Sequence, residues 1–201
     1  MSVSEKDFKK IKNEIRDFVE KEMIPDESSI DHNHRFEESL PILEEKRKKV
    51  KKMGYFAPQI PKNYGGLGLN LYQLGQIYEI LGRTFYGLYV FNCQAPDAGN
   101  MEILIEHGTD YQKENFLLPL IKGESRSCFS MTEPDFAGSN PVLMGTTATK
   151  DGDNYIINGH KWFTSSADGA DFAIVMVMTD PDNPNPYMRA SQIIVPTDTP
   201  G

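Results

Sequence analysis

Apolar residues at Phe8, Ile11, Ile15 and Phe18, continued by Glu22 and Met23, recur every three to four positions. That spacing turns one face of a helix toward a core. Ser4 stands where an N-cap belongs, and Pro25 where the helix should stop. Another stripe of Leu40, Leu43, Val50 and Met53 predicts a helix from about Ser39-Leu40-Pro41, with the proline in the first turn and Gly54 as its end. Past the Gly- and Pro-rich loop YFAPQIPKNYGGLGLN, Asn70 caps a third helix carrying Leu71, Leu74, Ile77, Tyr78 and Leu81, closed by Gly82. A further helix is expected from about Pro96 to His107. Thr109 with Gln112 has the form of a capping box that opens the last helix, which ends near Gly123.

From Ser125 onward the period changes to short β-rich runs separated by turn residues. CFSM reads as one strand. GTTATK, NYIIN and HKWFTS read as three consecutive antiparallel strands, with Asp151-Gly152 and Asn158-Gly159 at the corners. AIVMVM is a continuous apolar run of the kind found in a central strand. PDNPNP is a loop, and SQIIVP a final strand. The expected fold class is α+β, with an all-helical domain over residues 1–123 and an antiparallel β-domain over 124–201. The β-domain is expected to be incomplete, because the chain stops just after a strand. Helices near Ile77–Leu81 and Leu117–Ile121, with AIVMVM, are expected to leave apolar surface in water, so that the chain self-associates, co-purifies with a partner or aggregates on mild heating.

Composition narrows the function. With 201 residues, 39% hydrophobic and 25% charged, the chain can bury a core and is no coiled coil, collagen or disordered acidic tail. A net charge of −8 argues against general nucleic-acid binding. No apolar run approaches the roughly 20 residues of a membrane span, and MSVSEKDFKKIKNEIRDF has no apolar stretch of a signal peptide. Cys93 and Cys128 form neither a disulfide framework nor a metal spacing, and read as buried thiols in a reducing compartment. The run EEKRKKVKK reads as a solvated helix face.

Candidate chemistry concentrates in two segments. MTEPDFAGSN, residues 131–140, follows a strand and ends in the small residues Ala137, Gly138 and Ser139. Small residues let backbone approach a ligand, the Thr132 and Ser139 hydroxyls can donate hydrogen bonds, and loop amides can form an anion nest. The competing reading is a polar connection between strands. HKWFTSS, residues 160–166, places Trp162 and Phe163 beside hydroxyls, which suits either a wall for a flat ring or ordinary sheet core. Gly65-Gly66-Leu67-Gly68 fails as a dinucleotide fingerprint, since it lies between helices and has Leu71 where the pattern needs glycine. His32, His34, His107 and His160 show no zinc spacing, and no nucleophile elbow, P-loop or HExxH is present.

Taken in order, PKNYGGLGLN, GTDYQKENFLLPLIKGE, CFSMTEPDFAGSN, DGDNYIINGHKWFTSSA and IIVPTDTPG resemble the acyl-CoA dehydrogenase family along nearly the whole chain. FNCQAPDAGNMEILIEHG and TEPDFAGS are similar to its long-chain subgroup related to the kinase-fused eukaryotic members. The resemblance implies a helical domain, a β-domain and a C-terminal four-helix domain, the last absent from these residues. It implies FAD as cofactor. The backbone of Phe129, Ser130, Met131 and Thr132 and the Thr132 hydroxyl would meet the pyrimidine side of the flavin. Ser139 would lie near the pyrophosphate and the acyl-CoA substrate. Phe163, where many members have Trp, would cover the ring. Thr164 would lie beside the flavin, and Ser165, where many have Thr, would bond near N5 and O4. The implied reaction is α,β-dehydrogenation of an acyl-CoA thioester, with electrons passed to an electron-transfer flavoprotein. The α-proton would be taken by a glutamate of the C-terminal domain, so the isolated chain is expected to be inactive. Glu133 and Asp135 are set aside as bases, a glutamate before proline being better suited to orienting backbone. The implied partners are a homo-oligomer or a C-terminal half, and the compartment is cytoplasmic in a bacterium or mitochondrial or peroxisomal in a eukaryote. A non-catalytic module pairing with a homologue is the alternative.

Overall fold

The structure, a computed structural model, describes residues 3–30 and 36–201, so His32 and His34 lie outside the described residues. Packing divides the chain into two units: one reaches Ala98 and includes Leu117–Gly123, and the other joins Gly99–Phe116 to Glu124–Gly201.

In the first unit, α1 spans Glu5–Phe18, and the Ser4 hydroxyl accepts the Asp7 amide at 3.1 Å. Pro25 does not stop the winding. The chain widens into a π turn at Val19–Met23 and tightens into a 3-10 turn at Ile24–Ser29, with Pro25 at its start, where the missing N–H needs no partner. Helix α2, Phe36–Met53, carries Pro41 in its interior rather than in its first turn. Helix α3, Leu71–Leu81, opens with a reciprocal capping box between Asn70 and Gln73. A short α4, Gly87–Val90, follows. Ile15, Leu43, Val50, Ile77, Leu81, Val90 and Phe91 form the fully buried centre of this unit. Gly65 and Gly68 have left-handed φ values of +90° and +59°, and a Cβ on Gly66 would collide with Ile60, so the glycine-rich segment is a structural turn.

Helix α5 spans Asp97–His107. The Thr109–Gln112 capping box opens α6, Asp110–Gln112, which continues through a π turn at Lys113–Leu117 into α7, Leu118–Lys122. Gly123, at φ +65°, ends α7. Arg47 is buried with its guanidinium 4.9 Å from the Phe56 ring and 4.5 Å from the Tyr89 ring. Its Nη1 donates to the Tyr89 carbonyl at 2.6 Å. Asn92, left-handed at φ +56°, donates through Nδ2 to the carbonyls of Leu120 and Ile121 at 3.0 and 3.1 Å.

The other unit is built on five strands: β1 Ser127–Ser130, β2 Thr147–Asp151, β3 Asn154–Asn158, β4 Phe172–Met178 and β5 Ala190–Pro196. The sheet is mixed, not antiparallel. β1 lies parallel to β4 from Ser127↔Phe172 to Ser130↔Val175, and β2 touches β4 in parallel at Thr147↔Met178. Only β2–β3 and β4–β5 are antiparallel. These pairs are joined directly, the first through Gly152 at φ +58°, whereas β1 reaches β4 through a long connection that leaves direction unconstrained by any turn. β4 is central, as its apolar run predicts.

Two further expectations are corrected. HKWFTS is not a strand. β3 ends at Asn158, Asn158-Gly159 makes no hairpin, and residues 159–164 run as irregular loop. Most of the side chains expected to be bare are core: Ile77, Ile80, Leu81, Leu117, Leu120, Ile121, Ile174 and Val177 are all buried, while Leu118 stays exposed. The large apolar residues that do face water include Leu71, Tyr72, Phe85, Phe163, Tyr187 and Met188.

Candidate functional site

β1 delivers the chain into the loop that begins at Met131. Phe129 pairs with Ile174 and Ser130 with Val175, so both are fixed by the sheet. The loop then folds on itself. Gly138 lies so close over Thr132 that a Cβ there would meet Thr132 Cγ2 at 2.6 Å, which brings the Ala137–Ser139 end back beside the loop's start. Ser139 is exposed at the tip. Another loop, after β3, returns alongside the first. The Trp162 amide donates to the Thr132 carbonyl at 3.1 Å, and the Thr132 hydroxyl donates to the Trp162 carbonyl at 2.7 Å. The Thr164 hydroxyl donates to Ser130 Oγ at 3.4 Å. The structure thus brings together Ser130, Met131, Thr132, Phe163 and Thr164, and places Ser165 on an exposed turn next to them.

Phe163 is the unusual member. It is 82% exposed and holds φ +49°, a region that residues with a large side chain rarely occupy. Its neighbours on both sides are bonded, Trp162 to the first loop at Thr132 and Thr164 to the end of β1 at Ser130, so the conformation is imposed rather than relaxed. The Trp162 and Phe163 rings stand 4.8 Å apart at 54°, with Trp162 43% exposed. An exposed ring on a strained, doubly anchored backbone, with hydroxyls beside it, fits a flat heterocycle that stacks on one face and bonds along one edge. The Thr132 proton is committed to Trp162, which leaves that oxygen as an acceptor for an N–H of such a ring.

Sequence reasoning missed the pair that ties the loops together. Glu133 is 5% exposed. Its Oε1 accepts from Lys161 Nζ at 2.8 Å and from the Thr146 amide at 2.9 Å, and its Oε2 accepts from the Gly145 amide at 2.5 Å. Lys161 Nζ also donates to the Met131 carbonyl at 2.9 Å. Burial alone would push the Glu133 carboxyl up. Hydrogen bonds from Lys161 and from the Gly145 and Thr146 amides outweigh it, so the carboxyl is held down at about 2. A weakly basic carboxylate already accepting three hydrogen bonds is poorly suited to take a proton from substrate. Asp135 is exposed on the loop.

Elsewhere the chemistry is quiet. Cys93 and Cys128 are buried, and burial pushes the Cys93 thiol well up. His107 sits beside Glu106 on the surface, and His160 is exposed. Among the described residues no cluster of three or more His, Cys, Asp or Glu could hold a metal ion, and no helix is long and apolar enough to cross a membrane.

Comparison with known proteins identifies the family. Residues 5–124 match the family model for the acyl-CoA dehydrogenase N-terminal domain, and residues 128–201 that for the middle domain. The chain is 35% identical, over 205 aligned residues, to acyl-CoA dehydrogenase family member 10 of Mus musculus, covering 96% of this chain and 19% of that protein. It is 42% identical over 163 residues to family member 11 of Gallus gallus, covering 80% of this chain and 21% of that one. It superposes on an acyl-CoA dehydrogenase complexed with FAD from Bacillus anthracis with a TM-score of 0.73 at 26% identity, over 97% of this chain and 31% of that chain. The chain therefore spans about a fifth of the length of these curated relatives. Matched by both domain models in order along nearly its full length, the chain belongs to the acyl-CoA dehydrogenase family, a family of oxidoreductases.

Proposed function

We propose that this chain supplies the flavin-facing half of an FAD-dependent acyl-CoA dehydrogenase, which removes hydrogens from the α and β carbons of an acyl-CoA thioester and passes the electrons to an electron-transfer flavoprotein. The observation that carries the reading is the loop pair: an exposed Phe163 ring, held in a left-handed conformation from both sides and bordered by the Thr132 and Thr164 hydroxyls. Phe163 would form the wall of the ring site. The backbone of Phe129, Ser130, Met131 and Thr132 and the Thr132 oxygen would meet the pyrimidine edge, Thr164 and Ser165 the opposite edge. Ser139 would face the pyrophosphate and the acyl-CoA. When bound, FAD supplies the two-electron acceptor, which no side chain can replace. The chain's own residues orient that acceptor and exclude water from one of its faces.

The base that takes the α-proton is expected outside these residues. Near the loop pair Glu133 is committed to a structural role, and Asp135 is a solvated loop carboxylate. We expect weak flavin binding and no acyl-CoA turnover from residues 1–201 alone, and turnover once the remaining domain is supplied. Oxidation of an acyl-CoA by the chain alone would show that the base has been misplaced. A completed protein that neither binds FAD nor oxidises any acyl-CoA would remove the proposal.

A further inference from the structure

Lys161 stands one residue before Trp162, and its ammonium reaches both flanks of Thr132: the Met131 carbonyl at 2.9 Å and Glu133 Oε1 at 2.8 Å. Thr132 itself makes two bonds to a single residue, Trp162. Two bonds to one residue act as a hinge, about which the loops can still rotate. Bonds on either side of Thr132 remove that rotation. Glu133 carries the constraint onward to the Gly145 and Thr146 amides, next to the start of β2. The chain of contacts therefore runs from the sheet through Glu133 and Lys161 to the loop that carries Phe163. The Lys161 side chain is only 12% exposed and the Glu133 side chain 5%. Each is bonded to protein rather than presented to a ligand. A strained residue such as Phe163 persists only where its surroundings over-determine it.

We propose that the Lys161–Glu133 pair is a positioning device that sets where the Thr132 hydroxyl and the Phe163 ring stand relative to one another, a role that rests on the flavin reading of the loop pair. Neither residue touches the reacting atoms. Both act through the residues that do.

The chain carries its own reporter, since Trp162 is its one tryptophan and lies in the loop that Lys161 anchors. In residues 1–201 for the Trp162 signals, and in the completed protein for flavin binding, Lys161→Met removes the charge at similar volume, and Lys161→Arg keeps it. Glu133→Gln combined with Lys161→Met removes both charges, so that no bare carboxylate is left buried and the fold has its best chance of surviving. With the far-ultraviolet dichroism of the wild type retained, Trp162 emission should shift, its quenching by acrylamide should rise, and Lys161→Arg should restore both. FAD affinity should fall about tenfold or more, as expected when supporting groups let binding groups drift by about 1 Å, and the visible band of bound flavin should move. If Lys161→Met does not fold, the double variant supplies the same readouts. A folded variant without the pair, but with wild-type Trp162 emission and quenching and a wild-type flavin spectrum, overturns the proposal. Failure of the wild type to bind FAD overturns the flavin reading instead, and the Trp162 signals still decide whether the pair positions the loop.

Discussion

Phe91 and Phe163 sit in similar local settings and meet opposite fates. Phe91 is 0% exposed, packed edge-on against Phe18, and the left-handed residue beside it is Asn92, a type that tolerates that conformation and uses its amide to bind two carbonyls. Phe163 is 82% exposed and is itself the left-handed residue. In the helical unit, ring, turn and hydrogen bonds all serve burial. In the loop pair the fold holds a large ring in water on a strained backbone, which folding alone has no reason to favour. On the proposed flavin reading, the difference separates a position shaped by the core from one kept for a ligand.

The largest test of that comparison is truncation of both rings. Phe91→Ala should lower unfolding free energy by about 3–5 kcal/mol, the usual loss for a buried aromatic. Phe163→Ala should change it by no more than about 0.5 kcal/mol, as for exposed positions, while weakening FAD binding. Denaturant titration of both variants checks this, and comparable destabilisation by the two would erase the distinction.

Next in size is the acid limb of stability. The Glu133 carboxyl is lowered from 4.5 to about 2 in the folded chain. The stabilisation it provides is complete above pH 4.5 and is lost as pH falls through that window toward 2. The integrated effect is about 3 kcal/mol. Glu133→Gln should flatten the fall of melting temperature between those pH values, and an unchanged acid limb would mean that the buried pair is absent in solution.

A smaller effect is expected at the flavin edge. Thr132→Val keeps shape and removes the hydroxyl bonded to Trp162, and FAD affinity in a completed enzyme should fall by about 1–3 kcal/mol. Wild-type flavin content and kinetics in that variant would take Thr132 out of the site. The smallest effect has the opposite sign. Phe163→Gly should raise stability by up to about 1 kcal/mol by relieving left-handed strain, and a loss of stability there would show that the ring is supported by the fold.

What is legible in the sequence follows the range of each interaction. The Asn70–Gln73 and Thr109–Gln112 boxes close within one turn, and both are readable. Gly152 turns a hairpin that its neighbours announce. Strand direction in the β1–β4 pair depends on a distant meeting, and no local signal distinguishes parallel from antiparallel there. HKWFTS has the composition of a strand, yet the Thr132–Trp162 bonds draw it into a loop. The Glu133–Lys161 pair joins residues 28 positions apart, and the only local hint is a glutamate before a proline. Most of the apolar side chains expected to be bare at Ile77–Leu81, Leu117–Ile121 and along β4 are covered instead, because amphipathic stripes say that a surface is apolar and not what covers it.

The most direct measurement of the central claim is titration of FAD into the chain, followed by Trp162 emission, with wild type and Phe163→Ala side by side. A ring wall at Phe163 predicts saturable quenching in the wild type, and quenching in Phe163→Ala only at markedly higher FAD. Saturable quenching of equal strength in the two chains, or none in a completed enzyme, would contradict it.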